Sequence, residues 1–255
     1  MTKTDLLDHA PWSPKMTAAA MAGSGLFLAA GLAVTPWEDQ ATTAAYLRAL
    51  AAHPTQGQIS AMLLFLGFLM LAPIAIGLLS VTSRRGRVRG AAAFLAIVGG
   101  IALPGAIVAD FFHLALAQSL SVKEAAEITD KAQGYAACGI ISALGMLGMA
   151  GLLALLVIAW RRGALPLVTP LLFAAGWIAP IALGVGLGPA LVGGALLLAG
   201  LGAGAFALNS AGTSVQQRLV GEPVLAGPDQ AGLVRQHNGL DTAAQSELLQ
   251  KSGDM

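Results

Sequence analysis

Apolar residues gather in six runs along this chain, at 16–34, 59–82, 91–117, 134–160, 166–183 and 190–208, with polar stretches between them. A bilayer-spanning helix needs about 20 mostly apolar residues at roughly 1.5 Å of rise each. Every run approaches or exceeds that length, so the expected fold class is all-α: a polytopic membrane bundle of six transmembrane helices. Within the polar stretch after the first run, 41–52 lacks Gly and Pro and predicts a short surface helix stopped at His53-Pro54. The stretch 118–133 is polar and mostly acidic in its middle, while 161–163 and 184–189 are short enough to be tight turns. The expected organisation is therefore an N-terminal segment at 1–15, a six-helix domain at 16–209 and a mostly disordered tail at 210–255. Within that tail only 243–250 has the composition of a marginal helix.

The first run exceeds the 7–15 residues typical of a signal-peptide core, and acids as well as bases precede it, so a retained helix is expected. Lysine and arginine then orient the chain, because they accumulate on the cytoplasmic side of membrane helices. One side collects Lys3, Lys15, Arg84, Arg85, Arg87, Arg89, Arg161, Arg162 and Arg218, and the other only Arg48, Lys123 and Lys131. Both termini are thus expected in the cytoplasm of a multi-pass cell-membrane protein. Trp12 and Trp160 suit the inner interface and Trp37 the outer one.

Composition agrees. The chain is 56% hydrophobic and 11% charged, with mean hydropathy +0.74, whereas soluble domains carry roughly 25% charged residues. A net charge of +1 gives no attraction for nucleic acid; the bilayer itself is the expected partner, together with a second copy or a membrane complex. Abundant Ala and 32 Gly permit close helix approach. The single cysteine, Cys138, excludes an internal disulfide or thiolate cluster and is expected as a small apolar helix residue. A glycine closely precedes a proline in each outward-running helix, at Gly31/Pro36, Gly100/Pro104 and Gly176/Pro180, and two return helices end in Arg-Arg-Gly. Three duplicated hairpins would produce this pattern, as would the general frequency of Gly and Pro in membrane helices.

Candidate chemistry is sparse. Asp110 and His113 are the ionisable residues well inside an apolar run, and three positions apart they share a helix face. Ionisable groups at membrane depth point to function by default, although Asp110 lies about 29 Å along its helix, near the outer edge of a hydrocarbon core about 30 Å thick. Glu38, Asp39 and His53 flank the first two helices on that outer side. Together with Asp110 and His113 they form a candidate polar site, whose nitrogen and oxygen donors suit a metal ion such as zinc or a proton relay. Haem is not expected, since only His113 among the histidines lies in a run. The chain contains no metalloprotease, nucleophile-elbow or phosphate-loop motif. Arg84, Arg85, Arg87, Arg89, Arg161 and Arg162 fix topology, and the first four can also meet anionic headgroups.

Residues 46–118 resemble a group of six-helix integral membrane proteins of GC-rich bacteria. The matching features are Ala51-Ala52-His53-Pro54, a Leu- and Pro-rich second helix with an arginine-rich exit, and Asp110-Phe111-Phe112-His113-Leu114-Ala115-Leu116. The resemblance implies this topology and singles out His53 and Asp110, but brings no activity. The sequence favours a small-ligand-binding, accessory or transport-related membrane protein with a polar site near the outer face. A membrane-embedded metal-dependent enzyme and a structural subunit of a larger complex are the alternatives. No reaction is legible.

Overall fold

A computed structural model of the chain describes residues 12–38, 42–82, 86–184 and 186–221. Among the described residues the regular elements are helices: α1 (Pro14–Val34), α2 (Thr43–Ala52), α3 (Pro54–Leu69), α4 (Leu71–Val81), α5 (Arg87–Ser119), α6 (Val122–Gln133), α7 (Ala136–Arg161), α8 (Val168–Leu183) and α9 (Leu187–Gly221). The chain divides into two units, Met1–Gly212 and Thr213–Met255. Of the second, the described part is the end of α9.

The all-helical expectation holds, with five helical spans long and apolar enough to cross a membrane: α1, α3 with α4, α5, α7 and α9 up to Ser210. The run at 166–183 condenses into α8, apolar but only 16 residues long, or about 24 Å. It starts two residues after Pro166 and stops at Gly184, whose φ of 93° is a left-handed conformation. The second run is interrupted at Met70. Pro73 explains the break, since it lacks the N–H that would bond the Leu69 carbonyl and is best tolerated in a helix's first turn.

Helix occurs at two places where the sequence predicts none with certainty, and Cys138 is helical as expected but exposed. The acidic stretch 118–133 contains a helix, α6, started by a capping box in which Ser121 and Glu124 exchange side-chain and backbone hydrogen bonds. The last helix continues past 208 to Gly221, so the segment 210–255 is helical at its start; 222–255, including 243–250, lies outside the described residues. Cys138 is exposed in the first turn of α7 rather than packed.

Glycine sets the helix spacing. α5 and α7 touch where Gly99 meets Gly148, so that a Cβ on either would overlap the other's backbone. The three glycines that precede prolines are also close-approach points: Gly31 against Leu64, Gly100 against Ala72, and Gly176 against Gly193 and Leu197. α8 runs antiparallel along α9, with Gly200 on Leu172 and Phe173, and Gly204 on Thr169. α9 in turn lies on α1, where Gly25 faces Leu198 and Gly194 faces Ala29. With α1 on α3 and α4, these on α5, α5 on α7 and α7 on α8, each apolar helix packs on at least two others. Small-residue contacts of this kind are how helices associate where lipid removes the hydrophobic drive. Short polar ties add to them: Ser24 donates to the Gly67 carbonyl at 2.9 Å, and Ser60 to the Gly31 carbonyl at 3.1 Å.

The outward surface is apolar. Phe94, Ile101, Phe112, Ile181 and Phe206 are each at least 66% exposed, whereas the main core contains Met21, Leu78, Leu155, Phe173 and Leu201. Apolar residues therefore point both ways, as expected of a bundle whose surroundings are themselves apolar.

Candidate functional site

A second, smaller core sits at one end of the bundle. Leu47 and Leu50 of α2, Leu114 and Ala117 of α5, and Ala125 of α6 pack together, with Tyr46 partly buried against them. α2 is started by Thr42, whose side chain accepts from the Ala45 N–H, and is ended by the turn into Pro54. It therefore lies across the end of α5 instead of continuing into α3. α6 returns against both and is tied to α2 by a 2.6 Å hydrogen bond from Thr43 to Asp130 Oδ1.

This small cap places Tyr46 over the predicted pair. The Tyr46 hydroxyl donates to Asp110 Oδ1 at 2.9 Å. His113 Nδ1 lies 3.5 Å from the same oxygen. It is buried and makes no hydrogen bond there, so the two rings of the site meet mainly by shape: Tyr46 and His113 stand edge to face, centroids 6.1 Å apart at 87°. Burial, followed by the Asp110 charge and the hydrogen bond to it, holds the Tyr46 phenol well above the ordinary tyrosine range. Tyr46 thus stays a donor. Both contacts fall on Oδ1, and no hydrogen bond from the described residues reaches Oδ2. Asp110 remains 26% exposed, enough for an outside group to approach it.

The rest of the predicted site does not assemble around this pair. His53 is the corner between α2 and α3: its N–H bonds the Ala49 carbonyl and its own carbonyl accepts from Gly57, each at 3.0 Å, while its side chain is exposed. Glu38 is half-buried beyond the end of α1, and Asp39 lies outside the described residues. Among the described residues no three His, Cys, Asp or Glu side chains group closely enough to hold a metal ion. Of the nitrogen and oxygen donors expected there, the described structure brings together Asp110 and His113. Tyr46 was the missing member. Its sequence signal is an aromatic on the short helix expected at 41–52.

At the arginine-rich end, two of the four described arginines have a local structural role. Arg89 and Arg162 both donate to the Thr82 carbonyl, Arg162 at 2.7 Å, and Arg89 also reaches the Leu79 carbonyl at 3.4 Å. These carbonyls are the unpaired acceptors at the C-terminus of α4, where a cation also meets the negative end of the helix dipole. Arg162 reaches the Thr82 carbonyl because α7 ends in a Schellman turn, with Gly163 at φ 72° and Ala164 N–H bonding the Ala159 carbonyl at 3.0 Å. Arg87 and Arg161 are exposed, and Arg84 and Arg85 lie outside the described residues.

Compared with models of known protein families, with curated proteins and with solved structures, the chain matches none.

Proposed function

We propose that this is a multi-pass integral membrane protein with six transmembrane helices and both termini in the cytoplasm, carrying a small-ligand site at Asp110 that opens outward. The six-span reading is supported by α8, which lies antiparallel along α9 from Thr169 to Gly176. With α8 counted, the basic residues fall on one side, as the orientation rule for membrane helices requires. Arrangement as three hairpins fits the glycine–proline repeat. The resemblance of 46–118 to six-helix proteins of GC-rich bacteria belongs to the same reading.

One observation carries the ligand site: a carboxylate at the helix edge is held by Tyr46 on one oxygen and leaves the other for a donor from outside. An ionised or hydrogen-bonded carboxylate so placed favours a small ligand with a cationic or N–H/O–H group. A metal-dependent enzyme has less support, since no third ligand stands beside Asp110 and His113 among the described residues. The test is Asp110→Asn in the producing cell and in purified protein, screened against a panel of small amines and metal cations by thermal shift. The reading expects at least one compound that stabilises the native chain and leaves Asp110→Asn unmoved. A panel that shifts both equally, or neither, counts against it. Membrane insertion is checked separately by resistance to alkaline carbonate and by reporters fused at both ends.

A further inference from the structure

α1 and α9 do not fit together evenly along their length. Between the middle of α1 and the early part of α9 they are sealed: a Cβ at Gly25 would lie 3.2 Å from Leu198 Cα, and one at Gly194 would lie 3.1 Å from Ala29 Cα. Towards the start of α1 the helices still touch, Gly204 against Met21, but beside that contact their surfaces leave a groove of about 450 Å³, walled by small residues including Ala19, Ala22 and Gly202 and edged by Phe206. At Gly202 a Cβ would meet no atom within 4 Å, so a side chain there would grow into open space.

The groove is polar at one end only. Lys15 and Asn209 close that end, and the remaining lining is apolar. Lys15 is exposed, and among the described residues no carboxylate pairs with it. It stands in the first turn of α1, which carries no acid and where the helix dipole adds further positive potential. An apolar trough ending in a cation has the polarity of an anionic amphiphile, and basic groups between membrane helices on the cytoplasmic side select anionic headgroups.

We infer that this groove binds an anionic phospholipid, its acyl chain along Ala22 and Gly202 and its phosphate on Lys15. The inference rests on the membrane reading above, which would place Lys15 at the cytoplasmic interface.

The test uses the full chain in phosphatidylcholine vesicles with spin-labelled phosphatidylglycerol or spin-labelled phosphatidylcholine as the probe. The number of motionally restricted lipids per chain is read by electron paramagnetic resonance. Gly202→Leu fills the groove without meeting the backbone and is expected to lose a restricted lipid relative to the native chain. Lys15→Gln is expected to keep that lipid but to lower the preference for phosphatidylglycerol about fivefold, the effect of one basic residue near an anionic surface. Ala22→Leu repeats the groove-filling test from the α1 side, and unchanged thermal unfolding certifies each variant as folded. Equal restricted lipid in the native chain and both filled variants overturns the proposal. So does a restricted fraction that varies with protein density, which would mean that a second copy occupies the groove. A native chain that washes off membranes in alkaline carbonate instead removes the membrane reading. A chain that stays but shows no groove lipid removes only this inference.

Discussion

The Tyr46 hydroxyl and Asp110 Oδ1 are 64 positions apart in sequence and 2.9 Å apart in space. That hydrogen bond fastens the short helix α2 to the end of α5, where Leu47 and Leu50 already pack on Leu114. Replacing Tyr46 with Phe keeps the ring contact with His113 and deletes only the bond. Hydrogen bonds to charged groups contribute about 1.5–3 kcal/mol, and a part-buried site such as this one lies at or below the low end. The expected outcome is a drop of about 1 kcal/mol in detergent unfolding, with faster amide exchange confined to α2. Tyr135→Phe, at an exposed ring, provides the control and is expected to change neither.

The same bond predicts how Tyr46 titrates. Its folded-state value is raised, by burial first and then by Asp110, so the fold favours the neutral phenol. That contribution to stability is complete below the ordinary tyrosine value of about 10 and is lost as pH rises above it. In a Tyr135→Phe background, spectrophotometric titration should show no phenolate at pH values where a free tyrosine is fully ionised. Adding Asp110→Asn removes the charge and should lower the midpoint, without restoring the free value, because burial remains. A midpoint that ignores Asp110→Asn would show that the carboxylate does not address this phenol.

The Gly99–Gly148 contact sets the distance between α5 and α7. Gly148→Ala puts a methyl against the Gly99 backbone, which cannot rotate away as a side chain can. Overpacking of this kind costs about 1–3 kcal/mol, against the slight gain in helix propensity that alanine brings. Gly139→Ala on the same helix meets open space. It should be neutral or mildly stabilising, and the difference between the two isolates the contact. Equal unfolding temperatures for the two variants would contradict it.

Arg162 separates two roles that charge counting merges. Arg162→Lys preserves the positive charge that orients the helix ends, but a point-like ammonium replaces the planar guanidinium that reaches the Thr82 carbonyl. Reporter fusions should show unchanged orientation, and unfolding should show a loss of about 1 kcal/mol, the typical net worth of one hydrogen bond. Loss of orientation in Arg162→Lys would mean that the clamp, and not the charge, positions the loop.

Much of the helical architecture was legible because hydrophobic run length is a strong signal. The first apolar run, 16–34, became α1 with its end unchanged, and the surface helix expected at 41–52 became α2. Shorter signals are weaker. Ser121-Val122-Lys123-Glu124 carries a capping box, yet its stretch reads as a polar loop because acids dominate it. Exposed Glu124 is held below the ordinary glutamate range by its bonds to Ser121, a purely local effect that sequence alone can suggest. Other features lay beyond local pattern. Asp110 and His113 share a face by spacing, but Tyr46 reaches them only because α2 folds across α5, and no periodicity encodes that crossing. His53 and Glu38 looked like companions because they share a side of the predicted membrane, and sharing a side does not bring side chains into one corner. The arginines were likewise readable as charges and not as caps for the α4 carbonyls.

The exposed thiol in the first turn of α7 has a practical consequence. Cys138 is the chain's single cysteine, so a maleimide added to intact cells labels one known address without any engineered residue. On the proposed orientation that address faces the medium, and a membrane-impermeant reagent should reach it before lysis. The native chain thus carries its own reporter of sidedness, fixed in sequence at the entrance to the helix that Gly148 locks against α5.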